Sequence, residues 1–256
     1  MQVSPEQIVL LCIAAFAAGF VDAIVGGGGL IQTPAALILL RQYSVVTAIG
    51  CTKIPSFSGT LFAAFQYLKK VKINYTLTLV MCVVAFFSSF AGSELLSVVS
   101  NEFMKPVLLI ILAAVAIYTY TKKDFGQHEA KDHPPKKELW FSVAISLIIG
   151  FYDGFIGPGA GSFLILAFIS MLGYDFLHAS AQAKLVNLAT NLGSIVLFTI
   201  KGKIIWMVAL PMAVCNAAGG MLGARMAIMK GNKFIRIFFL IIIIGTLIRF
   251  GWEVLF

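Results

Sequence analysis

Residues 19–34 read G-F-V-D-A-I-V-G-G-G-G-L-I-Q-T-P, and residues 150–166 read G-F-Y-D-G-F-I-G-P-G-A-G-S-F-L-I-L. The two stretches align without a gap at an offset of 131 residues, so Gly19, Phe20, Asp22, Gly26 and Gly28 recur as Gly150, Phe151, Asp153, Gly157 and Gly159. The same offset carries Tyr43 onto Tyr174, Ala48 onto Ala179 and Lys53 onto Lys184. It carries Lys70 and Lys72 onto Lys201 and Lys203, Gly92 onto Gly223, Asn101 onto Asn232 and Phe103 onto Phe234. One register kept over about 100 residues marks an internal duplication. In each copy, glycines interrupt an apolar run, and glycine is a poor residue for a helix interior. Each half therefore carries one broken helix.

Outward from these motifs the chain is apolar. Of its 256 residues, 60% are hydrophobic and only 12% charged, against about 25% charged in soluble proteins, and the mean hydropathy is +0.96. The charges gather between long apolar runs, the pattern of a polytopic membrane protein. Only helices and closed barrels satisfy their backbone in lipid, and the alternating ten-residue segments of a barrel are absent. The fold class is all-α integral membrane. The net charge of +8 lies in short loops beside the spans, which assigns it to topology rather than to nucleic acid. Cys12, Cys51, Cys82 and Cys215 lie singly in apolar runs and read as small buried hydrophobes. The opening M-Q-V-S-P-E lacks a basic region, so no cleavable signal peptide is expected.

The spacing predicts helices over 7–25, 30–40, 44–68, 75–99 and 104–120 in a first repeat, residues 1–121. A charged linker, 122–138, with two prolines, His128 and His133, separates it from the second repeat, 139–256. There the helices are expected over 139–156, 161–172, 176–200, 204–229 and 234–256. The runs at 30–40 and 161–172 reach only about half a bilayer at 1.5 Å per residue. The whole is about eight transmembrane helices, with a short helix or re-entrant hairpin after the glycines of each half. Trp140, Trp206 and Trp252 lie near span ends, as aromatic anchors do, and Glu94 and Arg225 are ordinary interfacial charges.

Lys and Arg counts orient the chain. With the loops at 69–72, 122–137 and 225–236 inside, twelve basic loop residues face the cytoplasm and four face out. Matching loops then lie on opposite sides, so the repeats are inverted. The expectation is a multi-pass protein of the cell inner membrane, with the linker cytoplasmic.

Inverted repeats with paired broken helices are a plan of secondary transporters, whose sites lie near the midplane at half-helix N-termini. Such termini present unpaired N–H groups and a positive dipole end, a natural anion site. Lys53 and Lys184 sit about ten residues into apolar runs, where charge is costly and faces a cavity or a partner. They are expected to flank an anion, or to form internal pairs, Lys53 with Asp22 and Lys184 with Asp153. The candidate substrate-binding residues are Gly26, Gly27, Gly28, Gly29, Gln32 and Lys53, with Gly157, Gly159, Gly161, Ser162, Lys184, Asn187 and Asn191. Asp22 and Asp153 are candidate proton-coupling carboxylates. No catalytic residue, metal or cofactor is expected, because the spans hold no histidine but His178 and no metalloprotease or Ser/His spacing. An anion channel built on the same residues is the alternative, as is a transporter of another small organic anion.

Residues 14–34, A-x-F-A-A-G-F-V-D-A-I-V-G-G-G-G-L-I-Q-T-P, with G-T-x-x-A-x-x-x-Y at 59–67 and F-I-G-P-G-A-G-S-F at 155–163, resemble the sulfite exporter TauE/SafE family over nearly the whole chain. That resemblance implies an inner-membrane permease for small sulfur-containing anions such as sulfite, sulfoacetate or aromatic sulfonates; the partners expected are the bilayer and the small anion, with the chain a monomer or a homodimer. A sulfonate offers three acceptor oxygens, which suits helix N-termini and ammonium groups. The second copy departs from the first at Pro158 and Ala160, so the two half-sites are not equivalent.

Overall fold

The helices begin and end where local chemistry sets them. The computed structural model describes residues 3–100, 102 and 134–255, and among these are eight helices and no strand. Helix α1 (Pro5–Val25) opens on a capping box in which Ser4 and Gln7 exchange side-chain and backbone bonds. Gly26 ends it at φ 75°, a left-handed conformation that side chains resist. Helix α2 (Gly29–Leu39) follows at once. Ser44 caps α3 (Val45–Leu68) and Asn74 caps α4 (Tyr75–Val98). In the second half come α5 (Pro135–Phe155), α6 (Ala160–Leu172), α7 (Phe176–Ile200) and α8 (Trp206–Leu255), the last interrupted at Gly231.

These bounds follow the expected ones closely, with one shift. Helix α5 starts at Pro135, so the end of the expected linker is its first turn, with proline and Glu138 placed where a helix start accepts them. The expected span 104–120 and linker residues 122–133 lie outside the described residues. Among the described residues, five helices are long and apolar enough to cross a membrane. Helix α3 is not one of them despite its 24 residues. Its Thr52, Lys53 and Thr60 are buried against protein rather than lipid, so it can be polar where a lipid-facing helix cannot.

Each broken helix folds back on itself as a hairpin. Near the mouth of the first, Gln7 Nε2 of α1 donates to the Leu39 carbonyl of α2 at 2.8 Å. Leu11 and Ala15 of α1 share an apolar cluster with Ala36 and Leu40. At the mouth of the second, the Tyr174 hydroxyl beyond α6 donates to Glu138 Oε1 of α5 at 3.0 Å. The hairpins meet at their tips. Ser162 N donates to the Gly26 carbonyl at 3.0 Å, and Ser162 Oγ to the Val25 carbonyl at 2.9 Å. Two hairpins that touch tip to tip enter from opposite ends, which is the inverted arrangement. A Cβ on Gly26 would stand 2.3 Å from the Gly161 carbonyl carbon, so the contact admits no side chain.

Packing exchanges one helix between the repeats. Helix α8, from the second repeat, packs along α1 and α3 of the first, while α4 of the first packs along α5 and α7 of the second. Small residues allow it, as in other membrane helix packings. In one bundle, Ser89 of α4 donates to the Thr190 carbonyl at 2.8 Å and Ser93 donates to the Gly154 carbonyl at 3.1 Å. In the other, Gly59 of α3 lies so close to α8 that an added Cβ would fall 1.8 Å from Asn216 Oδ1. The two bundles face each other mainly through α3 and α7, the helices that carry the two lysines.

Candidate functional site

Between the hairpin tips lies a cavity of about 30 Å³, room for roughly two or three waters. Its walls bring together residues from both halves: Asp22, Gly26, Gly29 and Lys53 from the first, Asp153, Gly157, Gly159, Gly161, Asn187 and Asn191 from the second. Thr33, Thr52 and Ser56 complete its polar wall. Of the expected substrate-binding residues, Gly27, Gly28, Gln32, Ser162 and Lys184 do not line it. Gln32 instead ties helices together, donating to the Thr52 carbonyl at 3.1 Å and accepting from Asn216 Nδ2 at 2.7 Å. Ser162 holds the tip contact described above.

The ion pairs cross between repeats. Lys53 Nζ lies 2.9 Å from Asp153 Oδ1 and 2.6 Å from the Asp153 carbonyl oxygen. Lys184 Nζ lies 2.8 Å from Asp22 Oδ2 and also donates to the Asp22 carbonyl. The pairing expected within each repeat, Lys53 with Asp22 and Lys184 with Asp153, is thus corrected. The reason is geometric: tip-to-tip hairpins set the end of each broken helix against the lysine helix of the opposite bundle. Each ammonium also meets a carbonyl in the last turn of a helix, where the dipole is negative. Both pairs therefore bridge the interface between the bundles.

The carboxylates have different surroundings. Asp153, 5% exposed in its side chain, accepts from Lys53, from Asn187 Nδ2 at 3.1 Å and from the Thr190 hydroxyl. Asp22, 19% exposed, accepts from Lys184, more distantly from the Thr60 hydroxyl at 3.3 Å, and from Gly28 N at 3.4 Å. At the tips, among the described residues, no acceptor takes the backbone N–H of Gly29, Gly159 or Gly161. Buried N–H groups are nearly always satisfied, by water or ligand where protein does not serve. These three donors belong to residues that line one small polar cavity with an ammonium in its wall.

Asn216 was not among the expected site residues, although its signal is in the sequence: it is the one Asn in the apolar run 204–229. No three His, Cys, Asp or Glu side chains gather into a metal-binding group among the described residues. His178, at the start of α7, pairs with its neighbour Asp175 at 2.6 Å, away from the cavity.

Comparison with known proteins agrees with the motifs. The family model for sulfite exporter TauE/SafE matches residues 11–250. A probable membrane transporter protein, ORF9, from Sinorhizobium sp. is 33% identical over 94% of this chain and 91% of its own length. One from Haemophilus influenzae is 33% identical over 92% and 91%, and the probable membrane transporter protein YfcA of Escherichia coli K12 is 31% identical over 91% and 86%. No solved structure matches. With hairpins, doubled glycine motif and family match in agreement along the same residues, the chain belongs to the sulfite exporter TauE/SafE family.

Proposed function

We propose that the chain is a secondary transporter that carries small sulfur-containing anions, such as sulfite or organosulfonates, across the inner membrane. The anion sits between the two hairpin tips, on the N–H groups of the glycines and within reach of Lys53 and Lys184. The observation that carries this reading is the set of unpartnered tip N–H groups on residues that line a cavity walled by a buried ammonium. Donors fixed in advance and shielded from water bind an oxyanion without reorganising. The relatives' names point the same way, since each is called a probable membrane transporter.

The cavity of about 30 Å³ is too small for a sulfonate, so binding one requires the cavity to widen. Opening means parting the tips, whose contact through Ser162 and Gly26 stands between the two ends of the protein. That blockage favours alternating access over an open channel. The paired lysines and aspartates are also arranged for exchange, because an entering oxyanion replaces a carboxylate oxygen on the ammonium.

The test is thermal stabilisation of the purified protein by sulfite, sulfate, thiosulfate, sulfoacetate, toluenesulfonate, acetate and chloride. A ligand at a hundred times its Kd adds about 2.7 kcal/mol to the folded state. The expected result is a selective rise in unfolding temperature with a sulfur oxyanion, lost in Lys53→Gln/Lys184→Gln. Equal shifts with every anion, or an undiminished shift in the double variant, would refute the site.

A further inference from the structure

We infer that Asp22, and not its counterpart Asp153, takes up a proton when an anion enters the cavity, and that Lys184 is thereby released to bind the anion. The inference rests on the anion reading above. It makes the two half-sites unequal, with Lys53–Asp153 as the fixed pair and Lys184–Asp22 as the exchanging one.

Charge balance requires a counter-charge. Lys53, Lys184, Asp22 and Asp153 form two ion pairs whose formal charges cancel. A monoanion such as hydrogensulfite entering this neutral quartet leaves one negative charge uncompensated away from water, an arrangement that buried sites avoid. One proton, drawn from solvent onto a carboxylate oxygen, restores neutrality. It also removes that carboxylate as a competitor for its lysine. The proton leaves again when the anion leaves, and no bond other than O–H is made or broken.

The surroundings choose the carboxylate. Asp153 is held from three sides, by Lys53 on Oδ1 and by Asn187 and Thr190 on Oδ2. Both of its carboxylate oxygens are thus already taken by donors. Asp22 has the Lys184 bond and two long ones, and its side chain is several times more exposed, 19% against 5%. The difference is written into the repeat. At the offset of 131, Asn187 corresponds to Ser56 and Thr190 to Gly59, so the side chains that clamp Asp153 have no equivalent beside Asp22. Gly59 has no space for a hydroxyl-bearing side chain, because a Cβ there would fall 1.8 Å from Asn216 Oδ1. The packing of α3 on α8 keeps the Asp22 half of the site loosely held.

The charged and titratable groups around Asp22 are few. From α7 comes Lys184; α3 contributes Lys53 across the cavity and Tyr67, whose hydroxyl donates to the adjacent Ala23 carbonyl at 2.9 Å. From α5, Asp153 stands in the same cavity wall. Among the described residues, α2, α6 and α8 place no charged side chain on the cavity. Protonation of Asp22 therefore frees Lys184 and leaves the Lys53 pair intact.

Infrared difference spectroscopy of the protein in lipid nanodiscs tests this, because a protonated carboxyl absorbs apart from a carboxylate. Spectra are recorded at fixed neutral pH, where solvated carboxylates stay ionised, with and without sulfite. Sulfite binding is read separately from the unfolding temperature. The expected result is a carboxyl band that appears with sulfite in the wild type, persists in Thr190→Ala, and is absent from Asp22→Asn. A band that survives Asp22→Asn, or that disappears in folded Asp153→Asn, overturns the inference. Should Asp153→Asn fail to fold, Thr190→Ala serves alone, since it loosens Asp153 and keeps its ion pair. If sulfite stabilises the protein without raising the band, the coupling is overturned while the anion reading stands. If sulfite does not stabilise the protein, the sulfur-anion reading fails. The inference, which needs a bound anion, falls with it.

Discussion

Lys53 Nζ and Asp153 Oδ1 stand 2.9 Å apart, in different repeats and in different helical bundles. Both side chains are about 5% exposed or less, so neither charge has water to fall back on. The pair ties the two bundles together across their interface.

Removing one partner strands the other. Lys53→Gln leaves Asp153 with two neutral donors and should destabilise the protein by about 3–5 kcal/mol. Lys53→Gln/Asp153→Asn should cost less than the sum of the single changes by at least about 1 kcal/mol, because no uncompensated charge remains. Denaturant unfolding of the three variants measures this. Additivity within about 0.5 kcal/mol would show that the two groups do not interact.

Neighbouring glycines at the first tip should respond differently. Gly26→Ala forces a side chain into a residue with φ 75° and 2.3 Å from the Gly161 carbonyl carbon. The backbone strain alone is about 1–2 kcal/mol, and parting of the tips adds to it. A Cβ on Gly27 meets nothing closer than 3.7 Å, so Gly27→Ala should shift stability by less than about 1 kcal/mol. Unfolding temperatures of the two variants should separate clearly, and similar values would argue that the tips do not touch.

Inversion of the repeats predicts the labelling of matched loops. Lys72→Cys and Lys203→Cys occupy equivalent positions at the two repeats' third-helix ends. A membrane-impermeant thiol reagent applied to intact cells should label Lys203→Cys and spare Lys72→Cys, and inside-out vesicles should reverse this. Labelling of both from one side would contradict the opposed hairpins.

The N-cap of α7 should carry a small acid sensitivity. Partial burial of Asp175 favours the neutral form, but bonds from the His178 backbone and ring, the His178 charge and the Leu177 N–H outweigh it. They hold the carboxyl below its ordinary value of 3.8. The folded state therefore prefers the ionised form. That stabilisation is complete above the ordinary value and is lost as pH falls through the lower, folded-state value. With the side chain 47% exposed, the charge contribution should stay well below about 1 kcal/mol, while Asp175→Ala should cost about 1 kcal/mol through the lost cap. Unfolding followed across the acid range should show a fall in the wild type that is smaller in Asp175→Ala.

Much of this protein can be read along the chain. The doubled glycine motif marks the broken helices because only glycine tolerates that backbone, and the half-length runs after it mark the returning arms. Lys53, Lys184, Asp22 and Asp153 announce themselves because charge inside an apolar run needs a partner or a cavity. Their partners were not legible. Within each repeat Lys53 and Asp22 lie close in sequence, and the period of a helix reports which face is buried, not against what. Only the meeting of two opposed hairpins, and the exchange of α4 and α8 between bundles, decides that each lysine answers to the aspartate of the other half. The same holds for Gly59. Its smallness is visible in the sequence, but the Asn216 side chain that fills its space comes from a helix more than 140 residues away, and contacts at that separation follow from packing alone.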